Sequence, residues 1–298
     1  MIIVLGKLYI RQINRKLKKT IYKIVDGKKS SFNYFREIID SKFVIYEFFK
    51  RDIKILYAQS VIGPIFYIIL PLLQTGVFNF FINKIFGNGL DFETSFLIIF
   101  INMVFWNLFS QNTIKGASIL ILNIKLINKV YIPRLIFFIS PYFVSLVHFL
   151  IQFVSFILLL FYFNYKGDLV FLNIQDFSKW ILVIPLLIYC FFLYFSLAVI
   201  ISMLSIRYRD IVHLVGYAFQ LGLFISPVLY SLSDLSGLSY TLVALNPYSF
   251  VPEILRWIFF ENTLNLNFLL INLFTTFFLF LLSIFLFIKK EKYIADLI

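Results

Sequence analysis

Among 298 residues there is one cysteine, Cys190, set inside an apolar run. An intrachain disulfide framework or thiolate metal cluster is thereby excluded, and a small buried hydrophobe is the default role for such a thiol. Charge is scarce as well: 14% of residues are charged, where soluble domains carry about 25%. Acids are the scarcer sign, 15 against 27 Lys and Arg, for a formal net charge of +12. An intramembrane transferase needs paired acids, a His beside a carboxylate or a metal cluster facing a cavity. Here His148 stands alone in its apolar stretch, Asp210 falls at a boundary, and Asp91, Glu93, Asp168, Asp176, Asp234 and Glu261 are scattered between stretches. No repeat relates the two halves and no ionisable group marks a midplane, which removes the usual signature of an ion-coupled secondary transporter. A nucleotide loop is missing too. Lys28-Lys29-Ser30 ends like one, but Tyr22 stands where the G-x-x-x-x-G-K-[ST] pattern requires glycine.

What the chain has in excess is apolar surface. It is 61% hydrophobic and 20% aromatic, more than one soluble core can bury, so its solvent must be lipid. Hydrocarbon satisfies no backbone amide, which leaves helices or closed barrels, and the apolar runs here are continuous rather than alternating. The fold class is therefore all-α and polytopic. Six stretches are long enough to cross about 30 Å of hydrocarbon: 61–83, 95–114, 135–163, 180–204, 211–230 and 264–288. Segment 231–262, with Pro247, Pro252, Glu253 and Arg256 among Trp257, Ile258, Phe259 and Phe260, is too apolar for a loop and too broken for a span. It reads as a pair of re-entrant or interfacial helices between spans five and six.

The N-terminal 60 residues read differently. Leu8, Ile13, Leu17, Ile21 and Ile24 form one helical stripe over 7–24, with basic residues on another, as in a helix lying on an anionic membrane. The order of apolar start and following charge is wrong for a signal peptide, so the segment is expected to be retained. A second interfacial helix is expected from Phe32 to Leu56, where Phe35, Ile39, Tyr46, Phe49 and Ile53 alternate with charges. The expected organisation is amphipathic helices over 1–60, a transmembrane domain over 61–288 and a tail over 289–298. With both termini cytoplasmic, all Lys and Arg except Lys84, Lys166, Lys179 and Arg256 fall on the inner side, in accord with the positive-inside bias. Basic charge laid beside membrane in this way points to lipid as the partner and away from nucleic acid.

Four short motifs carry more information than the architecture. Arg51-Asp52-Ile53-Lys54 leads through Tyr57 to Gly63-Pro64, a sharp entry from an interfacial helix into the first span. Asn123, Leu126, Lys129-Val130-Tyr131 and Pro133-Arg134 follow the second span, where 117–132 is expected to form a short apolar and basic helix. Arg207-Tyr208-Arg209-Asp210 with His213 precedes a span ending Ser226-Pro227-Val228 and Tyr230. Leu245-Asn246-Pro247 is followed by Glu253 and Arg256, placed to pair at i and i+3 in the outer segment.

From about Glu47 to its end the chain resembles, on these residues, the ABC-2 type permeases that export O-antigen, capsular polysaccharide and teichoic acids. It departs from their first motif at Leu56 and Phe66, where they usually have Arg and Trp. The resemblance implies a homodimer bound to two copies of a separate cytoplasmic ATPase, which holds the ATP and Mg; this chain is then no enzyme and carries no cofactor. It further implies ATPase coupling by Asn123, Leu126, Lys129, Tyr131, Pro133, Arg134, Arg207, Arg209 and Asp210. Arg51, Asp52, Lys54, Tyr57 and Gly63 belong to an interfacial gate helix. Asn246, Pro247, Glu253 and Arg256 close the outer mouth. Aromatics on spans one, two and five, Phe66, Tyr67, Trp106, Phe109, Phe219, Phe224 and Tyr230, offer amphipathic faces to a sliding glycan. The implied substrate is a lipid-linked glycan crossing the bacterial inner membrane. Export of small molecules or lipids within the same family is the alternative, and a membrane-embedded glycosyl- or acyltransferase the more distant one.

Overall fold

A computed structural model describes residues 31–57, 63–86, 91–129, 132–167, 177–260 and 265–297, and these fall into two compact units that divide after Ile39. The stripe expected over 7–24 lies outside the described residues. In the first unit, helix α1 (Ser31–Asp40) is strongly amphipathic. The second unit begins with α2 (Lys42–Tyr57), so the single helix expected from Phe32 to Leu56 is interrupted at Ser41, whose carbonyl accepts from Val44 and Ile45 as α2 starts.

The rest of the second unit is helical, and no strand occurs among the described residues. Its helices are α3 (Gly63–Phe86), α4 (Phe92–Leu122), the single turn α5 (Ile124–Ile127), α6 (Ile136–Lys166), the single turn α7 (Phe177–Trp180), α8 (Val183–Arg207) and α9 (Ile211–Ile225). After them come α10 (Gly237–Ala244), α11 (Phe250–Phe260) and α12 (Leu266–Leu297). Among the described residues five segments are long and apolar enough to cross a membrane: Ile65–Lys84, Phe92–Leu122, Ile136–Lys166, Ser178–Arg207 and Asn267–Glu291. The fifth expected span, 211–230, is shorter. Its helix has 15 residues, about 22 Å at 1.5 Å per residue, and ends where Pro227 forces Ser226 into extended backbone (ψ 147°).

Helix α4 is the pillar. In its most apolar stretch 72% of residues are buried within the bundle, against 17% for α3 and 22% for the α12 stretch, so the latter two carry the outward-facing apolar surface. Around α4 pack α3, α6, α8, α9 and α11, while α12 leans on α8 and α2 lies across α6 and the start of α3. Close approach is possible because Gly116 of α4 faces Ala198 of α8, and Gly222 of α9 faces the Trp106 ring. At the end of α6, Gly167 takes the left-handed conformation (φ 80°) that closes a helix, its N–H reaching the Asn164 carbonyl at 3.1 Å.

Buried tyrosines tie the helices together. The Tyr194 hydroxyl donates to the Phe138 carbonyl at 2.6 Å, joining α8 to α6. The Tyr189 hydroxyl donates to the Pro247 carbonyl at 2.6 Å and accepts from Thr276 Oγ1 at 2.8 Å, joining α8, α12 and the 3₁₀ turn Pro247–Ser249. Replacing Tyr189 by Phe is expected to lower stability in detergent by about 1–3 kcal/mol, because a buried carbonyl and hydroxyl lose their partner. An unchanged unfolding midpoint would show that this bridge contributes nothing.

Candidate functional site

Two ends of the bundle and one point between them gather the motif residues. The first end is where α4 stops and α6 starts. Asn123 terminates α4 by folding its Nδ2 back onto the Ile119 carbonyl at 2.8 Å, and the one-turn α5 follows. The expected helix over 117–132 is therefore absent: 117–122 are the last turns of α4, and Asn123 breaks the helix before Leu126 and Lys129. Leu126 is half-buried and Lys129 exposed, while Tyr131 lies outside the described residues. Pro133 is buried, and Arg134 reaches across to α12, donating from Nη1 to the Glu291 carbonyl at 2.6 Å.

Helix α2 lies against this same end, with Phe48 stacked on Phe137 of α6 at a centroid separation of 5.4 Å. Arg51 donates from both Nε and Nη2 to Asp52 Oδ1 at 2.8 Å, and its guanidinium sits 4.9 Å from the Phe48 ring centre. A cavity of about 350 Å³ opens between α2, α4 and α6, bringing Arg51, Asp52 and Asn123 together with Lys115 and Ser118. Lys54 is exposed on α2, Tyr57 ends that helix, and Gly63 opens α3. Arg207, Arg209 and Asp210 are exposed at the α8–α9 corner, where Tyr208 takes extended backbone and Arg207 lies 5.3 Å from its ring. They line no part of the cavity.

The opposite end is held by the proline motif and the i, i+3 pair. Asn246 starts the Pro247 turn by accepting from the Tyr248 amide at 3.1 Å, and its Nδ2 donates to Ser226 Oγ at 2.9 Å. Arg256 donates from Nη1 to Glu253 at 2.8 Å and from Nη2 to the carbonyls of Pro227 (2.8 Å) and Tyr230 (2.6 Å). Glu253 also accepts from the Leu232 amide at 3.2 Å, and Asn102 of α4 donates to the Val228 carbonyl at 3.1 Å. The non-helical segment after α9 thus has its backbone satisfied by α11 and α4. Burial draws the Arg256 guanidinium below its ordinary pKa, and the neighbouring Glu253 carboxylate opposes that drift.

Between the ends lie the aromatics. Trp106 and Phe109 are buried, and with Phe219 and Tyr248 they form a packed cluster with ring centroids 4.8–5.9 Å apart. Phe66 and Phe224 are exposed, and Tyr230 is half-buried. Tyr67 stacks on His148 at 3.7 Å beside a small polar pocket lined by Asn107, Gln111, Ser145 and Gln152. Sequence reasoning missed Lys115, Ser118 and this pocket. A signal was present: Asn107, Gln111, Lys115 and Ser118 recur at helical spacing along one face of an otherwise apolar segment.

No protein-family model matches the chain. It is similar to two O-antigen export system permease proteins, both named RfbA and both from Klebsiella pneumoniae. One is 24% identical over 252 residues, covering 83% of this chain and 92% of its own length, and the other 24% identical over 250 residues with the same coverage. An alignment that long takes in most of the helical bundle, and the similarity agrees with the O-antigen branch of the permease resemblance.

Proposed function

We propose that the chain is the membrane-embedded permease subunit of an ATP-driven ABC exporter that moves a lipid-linked polysaccharide of the O-antigen kind across the bacterial inner membrane. The observation that carries this reading is the similarity to O-antigen export permeases over 83% of the chain. The motif placement supports it, because α2 and the turn after α4 meet at one end of the bundle.

In this reading the motif-bearing end is cytoplasmic, as are both termini, and α9 serves as a short fifth span among six. Helices α10 and α11 form a re-entrant pair in the outer leaflet, and residues 1–60, 61–288 and 289–298 act as interfacial segment, transmembrane domain and tail. Two copies of the chain enclose the pathway, and two copies of a separate ATPase bind ATP and Mg and hydrolyse the nucleotide. Their closure presses on half-buried Leu126 and exposed Lys129 after α4, and on the exposed Arg207, Arg209 and Asp210 at the α8–α9 corner. That push reaches α2 through Asn123 and Arg51, and α12 through Arg134. Aromatic faces left open on α3 and α9, such as Phe66 and Phe224, offer the glycan contact area without a deep minimum.

The test is genetic and biochemical together. The double variant Leu126→Asp, Lys129→Glu is expected to cut glycan export by about tenfold or more, as loss of an interface hot spot does. It is also expected to lose co-purification with the ATPase while accumulating normally in the membrane. Export at the wild-type rate would remove the coupling assignment, and wild-type protein that never recruits an ATPase would remove the exporter reading.

A further inference from the structure

Helix α3 is held very differently along its two parts. From Ile65 to Leu70 no residue is buried, whereas from Pro71 onward Pro71, Thr75 and Asn79 are buried at i, i+4 and i+8, a single stripe along the helix. The second part is also bonded to its neighbours. Asn79 donates from Nδ2 to the Phe92 carbonyl at the start of α4 at 3.0 Å and accepts from Asn83 at 2.8 Å, and Phe78 meets Phe224 of α9 edge-on at 5.9 Å. What ties 65–70 to the bundle is the Tyr67 ring, stacked on His148 of α6 at 3.7 Å with the planes 11° apart.

The boundary between the parts is Pro71, which lies inside the helix. Proline has no N–H, so the carbonyl four residues before it, that of Tyr67, receives no helical hydrogen bond. The bond is thus missing at the residue whose ring makes the stack. Beside that ring lies a pocket of about 10 Å³ lined by Asn107, Gln111, Ser145, His148 and Gln152, room for about one water. Amide, hydroxyl and imidazole groups from two helices are costly together in an apolar bundle unless water can reach them. We propose that the first part of α3 is a lid over this polar pocket, hinged at Pro71 and held shut by the Tyr67–His148 stack. A swing of 20°, the size at which proline kinks count as sharp, carries Gly63, eight residues from the hinge, by about 4 Å. The ring then leaves His148 and water fills the pocket, while the second part of α3 stays fixed to α4. The device needs no assumption about what the protein carries.

The experiment measures how fast a water-soluble thiol reagent modifies single reporters in full-length protein in nanodiscs. Ser145→Cys, nearly isosteric, reports on the pocket, and Thr75→Cys reports on the buried stripe of the second part. Cys190, fully buried, supplies the unreactive baseline. Ser145→Cys is expected to react above that baseline and faster than Thr75→Cys. Pro71→Ala, which returns an amide to the Tyr67 carbonyl, should slow Ser145→Cys by about threefold or more, as one net helical hydrogen bond allows. Tyr67→Leu, which removes the stack, should speed it by about threefold or more. Neither change should alter Thr75→Cys. Reaction of Ser145→Cys at the baseline overturns the lid, and it is read with no substitution at the hinge or the stack, so it stands even where those variants fail to fold. Undiminished reaction in Pro71→Ala overturns the hinge. Acceleration of Thr75→Cys by Tyr67→Leu to the same extent as Ser145→Cys means that α3 moves as one rod, and overturns it too. Gln152→Cys on the opposite wall of the pocket repeats the measurement, and a rate there that ignores both Pro71→Ala and Tyr67→Leu removes the pocket from the device.

Discussion

Arg256→Met is expected to cost about 3–5 kcal/mol of stability, the range seen when one member of a buried ion pair is removed. The side chains of Arg256 and Glu253 are 4% and 12% exposed, so neither is solvated enough to tolerate isolation. Methionine would leave Glu253 charged and buried, and would strip the carbonyls of Pro227 and Tyr230 of their donor. Adding Glu253→Leu removes the stranded charge, so the double variant should recover part of the loss. It should not recover all of it, since the two carbonyls and the Leu232 amide still lack partners. Unfolding in detergent and protease cutting near 227–232 both report on this. A single variant as stable and as resistant as wild type would mean that the segment after α9 is held by something else.

Gly116→Leu is the second severe change. A β-carbon at 116 would run into Ala198 Cβ and stand 3.4 Å from Ala198 Cα, with the Tyr194 ring also at 3.4 Å. The Ala198 methyl is fixed to its backbone and has no rotamer to yield, so even Gly116→Ala should lose about 1–3 kcal/mol to overpacking. Helix propensity acts the other way, favouring alanine by about 0.8–1.0 kcal/mol. The sign of the alanine variant therefore decides whether α4 and α8 touch as closely as described. Leucine should prevent α4 and α8 from docking and abolish monodisperse protein. Ala198→Gly on the Gly116→Ala background should restore most of the stability, and a failure to do so would place the contact elsewhere.

The long spans were legible because their length and apolarity admit few other structures. Expected 135–163 and observed Ile136–Lys166 differ by a turn at most, and 180–204 against Val183–Arg207 likewise. The misreadings have local causes. The second span was expected to end at 114, yet α4 runs on to Leu122 because Gly116, Ala117, Ile119 and Leu120 are buried against neighbours that a charge count does not reveal. The helix expected over 117–132 failed because Asn123 spends its amide on the preceding turn, an option that its polarity allows but does not announce. The interfacial helix breaks at Ser41 in another way, its backbone carbonyl accepting from the amides of Val44 and Ile45 as α2 begins. Among the motif residues, Glu253 and Arg256 were paired correctly from spacing alone, whereas their grip on the 227–232 backbone depends on contacts more than 20 positions away. The aromatics were the least legible, since abundance of Phe and Tyr says nothing about which rings pack and which face outward. Trp106 and Phe109 prove to be packed inside the bundle.

Helix α9 falls several ångströms short of a hydrocarbon layer about 30 Å thick. In the place where a longer helix would have supplied its own amides, the chain installs a substitute solvent made of Arg256 and Asn102. Peeling the end of α9 away from α11 would therefore demand replacement donors at the same instant, since bare carbonyls have no refuge in oil. A seam of that kind resists opening into a dry leaflet and yields only when something wet, or something that hydrogen-bonds like water, is already there.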